Sequence, residues 1–206
     1  PSDLETDTVK PRKYTFNRKW GLPVRYYDFH AIQENSNPDF LEFHLSYKDM
    51  NLNPHEFFNN SYDLDFTVHS PDLFAGDHIL NLAAEDENHW QRSVAELQRV
   101  IDLTRELKPY FTRAERPFVI VSMGGFSRYG LLPETDRPTM YAHIAERLSQ
   151  LDTDGVELLA QTLPPYPWYL GGQLYLNLFV NPADTAEFSR QYGYRLCFDI
   201  AHSKLA

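Results

Sequence analysis

Seven polar side chains in this sequence stand at the ends of apolar runs. They are Glu42 and His44 in "FLEFHLS", His69 in "FTVHSP", Ser122 in "VIVSMGG", Gln161 in "VELLAQTLPP", and Asp199 and His202 in "RLCFDIAHS". Imidazole nitrogen, carboxylate oxygen and amide oxygen together are a donor set for Zn²⁺, Mn²⁺ or Co²⁺. Most members also have a purely structural reading. His44 suits an interior position where it donates to a backbone carbonyl, and His69, just before a loop, suits strand-end packing. Asp199 resists that reading, because a carboxylate after "RLCF" sits deep in a sheet and burying it unpaired is costly. Strict alternation puts His202, three residues on, on the opposite face, unless the strand has by then turned into its loop.

These groups meet only if the runs that carry them lie side by side. From Trp20 onward, short apolar runs alternate with helical patterns. Residues 22–29, 40–46, 63–71, 117–125, 155–165 and 194–203 read as strands. In "FLEFHLS", Phe40, Glu42, His44 and Ser46 alternate with Leu41, Phe43 and Leu45, the two-residue period of a strand. "PFVIVSMGG" is a nearly continuous apolar run, as expected of a strand covered on both faces. A helix over 86–110 follows from Trp90, Val94, Leu97 and Ile101, with Val100, Leu103 and Leu107 widening the stripe. Tyr141, Ile144, Leu148 and Leu151 mark another. Asn53-Pro54 and Asn181-Pro182 have the form of helix starts, and Gly193 that of a helix end.

Strand and helix alternating about six times imply right-handed crossovers and a parallel sheet. No Gly-x-Gly-x-x-Gly follows the first strand, which disfavours a dinucleotide-binding open sheet. The expected fold is therefore an α/β (β/α) barrel over residues 20–206, incomplete, with about six of eight strands. Residues 1–19, polar and without period, are expected to be a linker or N-terminal arm. In such a barrel the C-terminal strand ends form the mouth where chemistry is done, and all seven residues fall there.

The remaining numbers narrow the setting. Hydrophobic residues are 42% and charged residues 23%, a folded composition. The net charge of −10 argues against nucleic acid as partner. The basic stretch "KPRKYTFNRK" reads as a solvated linker. Cys197 is the single cysteine, so no intramolecular disulfide forms; its neighbours Leu196 and Phe198 suggest an inert core thiol in a reducing compartment. No run of about 18 apolar residues is present, and a cytoplasmic protein without membrane contact is expected. The first residue is not Met, which suggests a piece of a longer chain. An incomplete barrel leaves two open sheet edges, so a homodimer is expected to cover them. The loop "PPYPWYLGGQLYLN" carries Tyr166, Trp168, Tyr169 and Tyr175 with Gly171 and Gly172. It suits either stacking on sugar faces or a self-packed loop. The loop 72–84, with Asp77 and His78, reads as a lid or as plain connection.

"LEFHLS", "VHSP" with "GDHILNLA", "QTLPPYPWYLGGQ" with "NLF", and "FDIAHSKLA" resemble the xylose isomerase-like TIM barrels, the sugar-phosphate isomerase/epimerase group. More narrowly, "YTFNRKWGLPVRYYDF" and "DFLEFHLSYKDM" resemble the C-terminal barrel region of some bacterial N-acetylneuraminate (sialic acid) synthase-like proteins. The resemblance spans about residues 14–206. It implies a divalent metal (Mn, Zn, Co or Mg), with Asp199 matching the strand-6 Asp, His202 the His after it, and His69 the strand-3 His. Gln161 stands where a strand-5 Glu is expected, and strands 7 and 8, which carry further ligands, have no counterpart. The implied metal ligands are thus Gln161, Asp199 and His202.

The resemblance also implies a sugar or sugar-phosphate ligand and a sugar isomerase/epimerase in nonulosonic (sialic-type) acid biosynthesis. There the metal polarises a carbonyl while Glu42 or His69 moves a proton between adjacent carbons. His44, Trp168, Tyr169, Gln173 and Lys204 are the expected substrate contacts. The rival expectation is a non-catalytic carbohydrate-binding or assembly module, which Gln161 in place of a carboxylate favours.

Overall fold

In a computed structural model of the protein, residues 13–164 and 172–205 are described. Six strands form one sheet: β1 (Gly21–Val24), β2 (Phe40–His44), β3 (Asp65–His69), β4 (Phe118–Val121), β5 (Glu157–Gln161) and β6 (Arg195–Cys197). They pair in chain order, every neighbour parallel. Helices α1 (Phe29–Asn35), α2 (Glu87–Leu107), α3 (Arg137–Leu148) and α4 (Pro182–Tyr192) cross between strands, and α5 (Ile200–Lys204) follows β6. Sequential parallel strands joined by helices make an incomplete α/β barrel, as the alternating pattern required. β1 and β6 are its edges.

The helix ends follow local chemistry. Asp86 caps α2 by accepting from His89 N at 2.7 Å. Asn181 caps α4 by accepting from Ala183 N and Asp184 N, and Gly193 closes it at φ 78°. The Asn53-Pro54 start yields only a single 3₁₀ turn, Pro54–Glu56, although Asn53 does cap it. No apolar stripe continues beyond it to hold a longer helix.

The larger departure concerns the last strand. β6 stops at Cys197, and Asp199 is the N-cap of α5, its Oδ1 accepting from His202 N at 2.9 Å. Asp199 is therefore not deep in a strand but at a strand-to-helix corner. A short polar side chain that bonds the backbone three residues on ends an extended run whatever its hydrophobicity.

One face of the sheet is turned to the helices. Leu41, Phe43, Phe66, Val68, Val119, Val121, Leu158 and Ala160 pack in a single cluster with Leu97, Val100 and Ile101 of α2. Ile120 and Leu159 are also buried but stand outside that cluster, on the interior face, in register with His44 and His69. After β4 the chain turns sharply at Gly124 and Gly125, φ 98° and 83°. A Cβ on Gly124 would lie 2.3 Å from Asn81 Oδ1, which accepts from Gly125 N at 2.8 Å. Residues before β1 are fastened by Asn37, which exchanges two hydrogen bonds with the Tyr14 backbone, at 2.8 and 2.7 Å.

Candidate functional site

The interior face carries the polar residues toward the C-terminal ends of the strands. There a recess of about 300 Å³ is lined by Arg25, His44, His69, Ser122, Gln161, Asp199 and His202, among others. Six of the seven strand-end residues singled out in the sequence, all but Glu42, thus come from the ends of five strands to one mouth, and Glu42 stands beside His44. An open groove of about 800 Å³ lies elsewhere, beside α3, with His89 and His143 in its wall. It has no comparable convergence of bonded polar groups.

Register places His44 directly opposite His69. Their rings stack with centroids 4.4 Å apart and planes at 27°. Glu42, two residues before His44 on the same face of β2, holds His44 Nε2 at 2.5 Å. His69 has both nitrogens engaged: Nδ1 is 3.0 Å from Ser70 O and Nε2 is 3.0 Å from Gln161 Oε1. Gln161, buried to 6% exposure, accepts also from Ser122 Oγ at 3.3 Å and donates through Nε2 to Asp199 Oδ2 at 3.1 Å. His202 Nδ1 sits 2.8 Å from Thr162 O and 3.5 Å from Asp199 Oδ2. Thr162 Oγ1 accepts from Asp199 N at 2.9 Å.

The direction of this chain is fixed from one end. A carboxylate only accepts, so Gln161 must turn its NH₂ to Asp199 and its oxygen to His69. His69 Nε2 must then carry a hydrogen. The amide joins the imidazole to the carboxylate through two hydrogen bonds.

That arrangement bears on the divalent metal implied by the resemblance. A cation needs bare lone pairs on its ligands. Here Gln161 Oε1 accepts two hydrogen bonds and His69 Nε2 donates, so neither has a lone pair to give; each Asp199 oxygen accepts one and keeps one. Among the described residues no group of three or more His, Cys, Asp or Glu is arranged to hold a metal ion. As folded, Gln161, Asp199 and His202 come together but do not fit one.

Other expected residues lie apart from the recess. Gln173 and Lys204 are exposed and do not line it. Trp168 and Tyr169, with Tyr166 and Gly171, lie outside the described residues; Tyr175 pairs with Ser127 in a short antiparallel ribbon. His78 is no lid residue. It is buried against α2, with Nε2 3.0 Å from Ser93 Oγ, and desolvation, aided by nearby His89 and Arg92, pulls its pKa down to about 4. Cys197 pairs with Gln161 across the β5–β6 register. Burial, reinforced by the Glu42 and Asp199 charges, raises its thiol to about 11, so it is no nucleophile near neutral pH.

Sequence reading missed Arg25, which follows β1 and lines the recess. The signal was present, since Arg25 is the first polar residue after "GLPV" and obeys the same strand-end rule that selected the others.

Residues 27–205 match the family model described as a xylose isomerase-like TIM barrel. No curated protein matches the chain. No helix among the described residues is long and apolar enough to cross a membrane.

Proposed function

Since this chain belongs to the xylose isomerase-like TIM barrel family, we propose that it is a sugar isomerase/epimerase-type barrel domain acting in nonulosonic (sialic-type) acid biosynthesis. Its work is to move a proton between adjacent carbons of a sugar bound at the strand-end mouth. The observation that carries this reading is the Glu42–His44 pair opening on that mouth, with the His44 side chain 42% exposed. Glu42 accepts the Nε2 hydrogen of His44, which leaves Nδ1 as the basic nitrogen and holds the ring in one orientation. In this assignment His44 takes and returns the proton, and Glu42 positions it. His69 supports the ring from below by stacking, its own Nε2 hydrogen directed at Gln161. This donor set lends no support to a metal-assisted form of the reaction.

The narrower link to sialic acid rests on "YTFNRKWGLPVRYYDF" and "DFLEFHLSYKDM" alone. A cytoplasmic setting and an arm over residues 1–19 go with it. Homodimerisation through the β1 or β6 edge is part of the same reading, supported by Phe198 and Ile200, which stand 67% and 71% exposed beside β6. One observation favours the non-catalytic carbohydrate-binding or assembly module instead: Gln161, not a carboxylate, occupies the centre of the bonded chain.

Incubation of the chain with aldoses, ketoses and amino sugars in D₂O, followed by proton NMR, tests the proposal. Deuterium entering at the carbon next to the carbonyl, at a rate cut at least about a hundredfold by His44→Gln, is the expected result. Saturable sugar binding with no exchange would establish the module, and neither binding nor exchange would remove both readings.

A further inference from the structure

The barrel interior has a second end. At the N-terminal ends of the strands, opposite the mouth, a cavity of about 670 Å³ is lined by Phe40, Thr67, Arg116, Phe118, Glu157 and Arg195, among others. Thr67, Phe118 and Glu157 stand side by side in register on β3, β4 and β5. They belong to the interior face, two residues before His69, Ile120 and Leu159 on the same strands. The Thr67 hydroxyl is the unusual member. The residue is more than nine-tenths buried, at 9% exposure, and its Oγ1 meets no hydrogen-bond partner among the described residues. A buried hydroxyl left unpaired costs stability, so a polar atom supplied from outside the chain has something to gain there.

The rim is cationic where it can still bond. Lys19 lies 3.8 Å from Asp65, and Arg113 holds Asp63 through two nitrogens, so those two charges are matched. Arg116 and Arg195 instead converge on one carboxylate: Glu157 is 3.9 Å from Arg116 Nη1 and 3.1 Å from Arg195 Nη1. Arg116 Nε donates to Val156 O at 2.9 Å, and the Arg195 guanidinium lies over the Phe118 ring, 5.1 Å from its centroid. Two guanidiniums on one acid leave a positive charge and several N–H donors without an acceptor among the described residues. Glu115 also lines the cavity, but it is exposed to water.

We propose that this cavity is a ligand site separate from the mouth, and that its ligand is a hydroxylated aromatic carboxylate. The carboxylate sits on Arg116 and Arg195, the ring against Phe118 and Phe40, and the hydroxyl on Thr67 Oγ1. The inference goes beyond the sugar reading, which concerns the opposite strand ends, and neither needs the other. Three features set the class. The arginine side chains are 60% and 65% exposed, so the charge by itself adds at most about fivefold in affinity. The two phenyl rings favour a flat apolar body. The Thr67 hydroxyl, donor and acceptor at once, takes a ligand hydroxyl in either direction.

Titration of the ¹⁵N-labelled chain with 4-hydroxybenzoate, benzoate and phenol, followed by amide chemical shifts, tests it. 4-Hydroxybenzoate is expected to saturate, with shifts centred on Thr67, Phe118 and Glu157 and not on His44 or His69. Benzoate, without the hydroxyl, should bind about threefold to tenfold more weakly, the worth of one neutral hydrogen bond. Phenol, without the charge, should bind about twofold to fivefold more weakly. Thr67→Val should lower 4-hydroxybenzoate to the level of benzoate and leave benzoate unchanged, whereas Thr67→Ser, which keeps the hydroxyl, should bind both as the unaltered chain does. Arg116→Gln combined with Arg195→Gln should bring 4-hydroxybenzoate down to phenol and leave phenol unchanged. No saturable shift with any of the three up to about 20 mM, or shifts at His44 and His69 instead, overturns the proposal. So does a Thr67→Val variant that weakens benzoate as much as 4-hydroxybenzoate, or a double arginine variant that binds both carboxylates as before.

Discussion

The helix-facing and interior faces of the six-stranded sheet come from the same backbone and differ in almost everything else. On β2, Leu41 and Phe43 point to the helices and are fully buried, whereas Glu42 and His44 point inward with side chains 25% and 42% exposed. The Phe43 ring touches five others, Tyr26, Phe29, Phe58, Phe66 and Phe111, at centroid distances between 5.6 and 6.1 Å. That side gains from area and from edge-to-face ring contacts, which need only apolar surface of suitable shape. The interior side is held by individually matched donors and acceptors, from Glu42 and His44 to His69, Gln161 and Asp199. The contrast separates stability from chemistry within one strand.

The contrast is sharpest under truncation. Phe43→Ala should cost about 3–5 kcal/mol in urea unfolding, because five packed rings lose a common partner and cannot close the gap. A loss below ~1 kcal/mol would mean that the helix-facing core is not what holds the fold. On the interior face the sign reverses at Thr67. Its Oγ1 is buried without a hydrogen-bond partner, and the residue is 9% exposed. Thr67→Val keeps the shape and removes the orphan hydroxyl, so stability should stay level or rise by up to about 1 kcal/mol. A clear loss would reveal a partner for that hydroxyl. The smallest effect is chemical. With its thiol held up near 11, Cys197 should be alkylated by iodoacetamide at pH 8 far more slowly than an ordinary thiol. The rate should climb about tenfold per pH unit until pH approaches 11, the thiolate being the reactive form. Fast labelling at pH 8 would place Cys197 in open solvent, away from Glu42 and Asp199.

The helix-facing side was legible residue by residue. Alternation in "FLEFHLS" assigned Leu41 and Phe43 to one face and Glu42 and His44 to the other, and β2 obeys it. The stripe from Leu97 to Leu107 lies buried on α2 as its spacing required. The mouth was legible as a set of residues but not as an arrangement. The sequence brought forward His69, Gln161 and Asp199 as neighbours, and they are; it had no means of saying that an amide would lie between the other two. His202 shows the limit from another side. Counting by twos alone puts it on the opposite face, and it joins Asp199 through the alternative, a strand that has already turned: the Asp199 cap leads the chain into α5 two residues after β6 ends.

Composition and period determined the order of strands and helices, the buried face of each, and the strand ends at which polar residues gather. These follow from local sterics and from hydrophobicity summed over many positions, so no single residue decides them. Only the tertiary structure decided which hydrogen goes to which acceptor. Glu42 takes the His44 hydrogen, Gln161 turns its oxygen to His69 because Asp199 holds its nitrogen, and Asp49 braces Arg25. Such pairings depend on ångström distances between residues as much as 92 positions apart in the chain, and no local pattern in the chain encodes them.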